Sequence, residues 1–177
     1  MTIVVLAFFA LTIQAQFTKA SLQASGLTCS MCSKAVKVAL EKVPFVQEVK
    51  VNIKNQEYAI SFKENSDPDF DALKKAVEDA GFSVASLKVT GNFNDVSLHK
   101  DKHVQIDGKN FLFLTSADKV LNGEQTITIV DKDFLSAKDF KKYSAFTKME
   151  CMKTGHAGSC CEKDGIHTEE RIYHVII

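Results

Sequence analysis

The sequence predicts an α+β protein, with a strand-helix-strand-strand-helix-strand unit over residues 16–90 and a smaller β-rich unit over 91–177. Three observations predict it. Apolar residues in the first half recur at every second position in some stretches and at helical spacing in two others. Pro44 and Gly81, residue types that end helices, close those two helical stretches. Beyond Gly91-Asn92-Phe93-Asn94-Asp95, a turn-rich break, the texture changes to short β-like runs separated by turn residues.

Residues 1–15, MTIVVLAFFALTIQA, are almost wholly apolar and end at a small residue, the pattern of a secretory signal peptide cleaved after Ala15. The apolar run of about ten residues is too short for a membrane span, which needs about twenty. The expectation is export to a bacterial periplasm with no membrane anchor. Lysines plus arginines (22) balance aspartates plus glutamates (22), so no overall field draws nucleic acid or an anionic membrane. The five cysteines are an odd number, which excludes a fold stapled entirely by internal disulfides.

Phe17 to Gln23 alternates as a half-buried strand and ends near Gly26. From Cys32, the residues Ala35, Val36, Ala39, Leu40 and Val43 fall at helical spacing until Pro44. Val46, Val49, Val51 and Ile53 read as a strand, and Tyr58, Ile60 and Phe62 as its hairpin partner. Asp67 and Pro68 suit a helix start, followed by the apolar stripe Phe70, Leu73, Ala76, Val77 and Ala80 and a stop at Gly81. Phe82, Val84, Leu87 and Val89 make the last strand. This order in about 70 residues is the split βαβ, or ferredoxin-like, arrangement, one antiparallel sheet with two helices on one face.

Gly26-Leu27-Thr28-Cys29-Ser30-Met31-Cys32 lies on the first strand-to-helix loop. A helix starting at the second cysteine points its free N–H groups and positive dipole end at the sulfurs, which favours thiolate. Two thiolates at this spacing can hold Cu(I) or supply half of a zinc shell. The motif, the element order and the length together resemble the heavy-metal-associated domain of copper chaperones, of metal-transporting ATPase N-termini and of periplasmic mercury-binding proteins, over residues 17 to about 90. The resemblance implies that Cys29 and Cys32 bind one Cu(I), Hg(II) or similar ion and pass it by ligand exchange to a partner's cysteine pair. The family's usual Gly-Met-Thr-Cys-x-x-Cys departs here at Leu27, a near-isosteric loop anchor. Phe82 falls where the family keeps an aromatic or a lysine beneath the loop, and Met31 is expected to face solvent. The same cysteine spacing also serves thiol-disulfide oxidoreductases, but such enzymes set a cis-proline against the pair, and Pro44 and Pro68 are both accounted for by helix ends.

In the second half, Val96 to Leu98, Val104 to Ile106, Phe111 to Thr115, Gln125 to Val130 and Arg171 to Ile177 read as strands, with turns at Asp107-Gly108-Lys109-Asn110 and Asn122-Gly123 and a helix from Phe134 to Phe146. That order suits an OB-like barrel. A barrel-type binding module with a metal-sensing first domain is therefore a further reading. Phe111 and Phe113 read as buried, which argues against a nucleic-acid platform.

The chemistry of this half lies in the loop 149–168, where Cys151, Met152, His156, Cys160, Cys161 and His167 form a candidate second metal site for Cu(I) or Zn(II). The competing reading is a loop clipped by a disulfide from Cys151 to Cys160 or Cys161. His174 reads as an ordinary sheet histidine, and His99 and His103 as solvated surface. No acid, base and nucleophile fall together outside the cysteine clusters, so the sequence indicates no enzyme. The expected function is a Cu(I) chaperone, store or resistance factor, with a membrane metal transporter or another thiol-bearing metal protein as partner.

Overall fold

A computed structural model describes residues 16–27 and 29–177; the expected signal peptide, 1–15, and Thr28 lie outside the described residues. The elements are β1 (Gln16–Ser25), α1 (Ser30–Glu41), β2 (Val46–Asn52), β3 (Glu57–Phe62), α2 (Phe70–Asp79), β4 (Ser83–Leu98), β5 (His103–Ile106), β6 (Lys109–Phe113), β7 (Lys119–Ile129), a 3₁₀ turn (Lys132–Phe134), α3 (Ala137–Ser144), α4 (Cys151–Thr154), α5 (Ser159–Glu162) and β8 (Ile172–Ile176). Their strands form one sheet in the order β2-β3-β1-β4-β7-β8-β6-β5. Its first four strands carry the split βαβ order expected for the first half. Among the described residues, no helix is long and apolar enough to cross a membrane.

The helices differ from expectation at their starts. Asp69, not Asp67, caps α2, its carboxylate accepting from the Asp71 and Ala72 N–H groups. Gly81, at φ +87°, takes the left-handed position that ends the helix. The single helix expected from Phe134 to Phe146 is two pieces, because Ser136 starts a new helix by accepting from the Asp139 N–H.

The break expected at Gly91–Asp95 does not exist. β4 runs straight through it, pairing with β1 on one side and β7 on the other. Gly91 is needed for that passage, since an added β-carbon would meet Gln16 O and Phe17 Cδ1 at 3.0 Å each. Asp95 (φ +49°) and Gly123 (φ +71°) adopt left-handed conformations where the ladder shifts register between Phe93 and Val96, and Asn122 Nδ2 donates to Asp95 Oδ1 at 2.8 Å. The two expected turns, Gly91–Asp95 and Asn122–Gly123, therefore face each other as a β-bulge that kinks a long strand pair.

The expected OB-like barrel does not form either. β7, β8, β6 and β5 extend the first half's sheet, leaving β2 and β5 as its edges. The turn at Asp107-Gly108, both with positive φ, joins β5 to β6, and β6 lies parallel to β8. One continuous core spans both halves, with Phe17, Phe70, Phe93, Phe111 and Tyr173 at its centre. Alternation along β6 and β8 sends Phe111, Phe113, Tyr173 and Val175 into that core and Leu112 and Ile172 into a second, smaller one beneath the loop helices.

Candidate metal centres

Cys29 and Cys32 sit at the start of α1, which begins at Ser30 rather than at the second cysteine. Gly26, at φ +85°, turns the chain out of β1, and Leu27 is buried as the loop anchor. The Leu27 carbonyl accepts from Gln56 Nε2 at 3.1 Å, which ties the loop to the β2–β3 turn. Cys29 is the helix cap, its Sγ accepting from the Cys32 N–H at 3.3 Å. The two sulfurs lie 2.9 Å apart, Cys29 exposed and Cys32 half-buried.

Half-buried Phe82 lies beneath Gly26, close enough to touch an added β-carbon there at 3.9 Å. Met31 is 78% exposed. Below the first turn, the Tyr58 hydroxyl donates to the Ser33 carbonyl at 3.3 Å, and burial, with the Cys32 thiol nearby, raises its pKa so that it stays a donor. A metal ion bound at about 2.3 Å from each sulfur would hold them about 3.8 Å apart in a tetrahedral shell. For that shell the pair must open by under 1 Å, and for a two-coordinate ion by more, a movement the exposed Cys29 can supply.

The second cluster differs from the expected one in its histidines. His103 on β5 is in register with Leu112 on β6, and Leu112 with His174 on β8, so the two imidazoles flank one residue on the same sheet face. Above them α4 delivers Cys151 and α5 delivers Cys161, both buried. Cys151 Sγ lies 3.7 Å from His103 Nε2 and 3.4 Å from His174 Nε2. His103 Nε2, Cys151 Sγ and Cys161 Sγ fall within 4.8 Å of one another. Cys160 Sγ is 3.5 Å from Cys161 Sγ, on the more open side.

Each histidine is backed by a carboxylate. His103 Nδ1 donates to Asp164 Oδ2 at 2.7 Å and His174 Nδ1 to Asp131 Oδ1 at 2.6 Å. Lys102 pairs with Asp164 and Arg171 with Asp131. Burial lowers the His103 pKa, outweighing Asp164, so the ring is neutral with its Nε2 lone pair turned inward. Burial also resists ionisation of Asp164, but its bonds from His103 and Lys102 bring its pKa below the ordinary value. The Cys151 thiol is pushed far up by burial and by the neighbouring Cys161 and Cys160 sulfurs. Burial works against ionising Cys160 too, yet hydrogen bonds with the Cys151 backbone and the Cys161 thiol lower its pKa.

Of the six residues expected in this site, the structure brings together Cys151, Cys160 and Cys161 only. His156 is exposed and its Nδ1 donates to the Glu169 carbonyl at 3.0 Å. His167 is exposed as well. Met152 is buried on the other side of α4, along a cleft with Lys74 and Arg171. His103 and His174, expected as surface and as an ordinary sheet residue, are the imidazoles at the cluster, with side chains 1% and 0% exposed.

Residues 21–83 match the family described as heavy-metal-associated domain. The mercuric transport protein periplasmic component of Serratia marcescens is 37% identical over 62 residues, 35% of this chain and 67% of that protein. A probable copper-exporting P-type ATPase of Archaeoglobus fulgidus is 34% identical over 64 residues, 36% of this chain, and the match spans only 8% of the ATPase. Oxidised MerP from Ralstonia metallidurans CH34 is 33% identical in its solved structure, with a TM-score of 0.34, covering 40% of this chain and 96% of that one. Residues 84–177 fall outside the family match. Through residues 21–83, with the cysteine pair on the first strand-to-helix loop, the chain belongs to the heavy-metal-associated domain family.

Proposed function

We propose that this is an exported heavy-metal-binding protein in which Cys29 and Cys32 carry one soft ion, Cu(I) before Hg(II) or Zn(II), and release it by thiolate exchange. The observation that carries the reading is the placement of two sulfurs 2.9 Å apart at the first turn of α1 in a heavy-metal-associated domain. Soft thiolates select Cu(I) and its like over hard cations. Cys29 is exposed and Cys32 half-buried, so an incoming thiolate meets the ion on the Cys29 side. Its bond gives a three-coordinate ion, the Cys29 bond breaks, and the partner's second thiolate then bonds to the ion as half-buried Cys32 leaves. The partner on this reading is a membrane metal transporter or another protein presenting a thiolate pair.

Anaerobic Cu(I) titration of the reduced protein against a competing chelator tests the assignment. The Cys29→Ser/Cys32→Ser double variant is expected to bind one Cu(I) fewer per chain than wild type. Unchanged stoichiometry would remove the pair from the site. Acceleration of insulin reduction that depends on Cys29 and Cys32 would instead assign the pair to thiol-disulfide exchange.

A further inference from the structure

We propose that His103, Cys151, Cys161 and His174 form a four-ligand Zn(II) site, buried between the β5-β6-β8 face of the sheet and the loop helices α4 and α5, separate from the Cys29–Cys32 pair. Zn–S bonds of about 2.3 Å and Zn–N bonds of about 2.0–2.1 Å put the nitrogen and sulfur corners of a tetrahedron about 3.6 Å apart. The Cys151 sulfur stands 3.7 Å and 3.4 Å from the two imidazole nitrogens. His103, Cys151 and Cys161 already lie within 4.8 Å of one another, and His174, which meets the group through Cys151, completes the shell by closing on the other two.

The outer groups point the same way. Both histidines turn Nε2 to the cluster and give their Nδ1 hydrogen to a carboxylate, Asp164 or Asp131. Such pairing fixes tautomer and ring orientation at metal-bound histidines. The charge count selects a dication. Two thiolates neutralise Zn(II), while Asp164 has Lys102 as its cation and Asp131 shares Arg171 with Asp71. A monovalent Cu(I) would leave an uncompensated negative charge in a buried place, which is costly. The site also explains two helices of four residues each, too short to hold themselves, because ligands from both would tie them to the sheet. Cys160 stays outside the shell and lines an open cleft on the solvent side.

The test uses the full chain carrying Cys29→Ser/Cys32→Ser, reduced and anaerobic, so that failure here is separable from failure of the Cys29–Cys32 assignment. Co(II) titration, followed by displacement with Zn(II), is expected to show one tetrahedral site per chain with thiolate-to-metal charge transfer. X-ray absorption of the zinc form, which needs no further variant, should show two sulfur and two nitrogen neighbours. Cys161→Ser, His103→Gln or His174→Gln should weaken Zn(II) by more than about a hundredfold, and Asp164→Asn by about ten- to a hundredfold, as outer-shell partners do. Cys160→Ser, His156→Ala and His167→Ala should stay within about threefold, by contrast with that outer-shell loss. Circular dichroism of each metal-free variant separates a lost ligand from a lost fold. No Zn(II) uptake by free thiols, a sulfur-only shell, Cu(I) uptake with Zn(II) refused, or dependence on Cys160 in place of His174 would each overturn the proposal.

Discussion

Phe111→Ala is expected to destabilise the protein by about 3–5 kcal/mol, the cost of truncating a fully buried phenylalanine. The ring lies at the seam of the molecule. Its centroid is 5.7 Å from that of Phe17 on β1, 6.5 Å from Phe70 on α2 and 5.7 Å from Tyr173 on β8. Two of those three partners belong to the first half of the chain, so the cavity would open in the core that both halves share. Urea unfolding should therefore show one transition, shifted for both halves alike. Tyrosine fluorescence can follow this in single-tyrosine variants, with Tyr143 and one other tyrosine changed to Phe so that Tyr58 reports on the first half or Tyr173 on the second. Separate transitions in the wild type, or a Phe111→Ala effect confined to the second half, would show that the common core does not couple them.

The first half was legible because its information is local. Stripes such as Leu73 and Val77, the stop at Gly81 and the cysteine pair lie within single elements, and each fell where periodicity put it. The turn signals at Gly91–Asp95 and Asn122–Gly123 were real, but what they do depends on what lies opposite. Facing each other across paired strands, they make a bulge instead of two turns. The second cluster was misread for the same reason. His156 and His167 are near the cysteines along the chain, whereas His103 and His174 reach them through the register of β5, β6 and β8. His103 follows Lys100-Asp101-Lys102, and that charged neighbourhood made it look solvated. A usable signal lay in β8: Ile172, Tyr173, His174 and Val175 leave neither face of the strand polar. A histidine in such a strand is buried and needs partners on both nitrogens.

Arg171→Met is expected to cost about 3 kcal/mol, the lower end of the range for breaking a buried ion pair from one side, since the arginine side chain keeps 24% of its surface exposed. The guanidinium joins three parts of the chain. Nε donates to Asp71 Oδ2 on α2 at 2.8 Å, Nη2 to Asp131 Oδ2 at 2.9 Å, and Nη1 to the Gly155 carbonyl at 2.9 Å. It also stacks on the Tyr173 ring, 4.2 Å from the centroid. Methionine keeps the length of the side chain but leaves Asp131, 5% exposed, without its cation. Much of the loss would be that stranded carboxylate, so adding Asp131→Asn should recover part of it, and a double-mutant cycle should show coupling above about 1 kcal/mol. The pH dependence follows from Asp71. Burial resists its ionisation, but Arg171, together with the Tyr173 hydroxyl and Lys74, lowers its pKa in the folded state. A carboxylate with a depressed folded pKa stabilises above its unfolded value, about 3.9, and loses that contribution as pH falls through the folded one. The stability gap between wild type and Arg171→Met should therefore be largest near neutral pH and narrow on acidification, as carboxylates that have lost the arginine take up protons at higher pH in the variant than in wild type. Urea unfolding of both proteins from neutral pH into acid measures it. A gap that stayed unchanged into acid would mean that the arginine acts through packing on Tyr173 and not through Asp71.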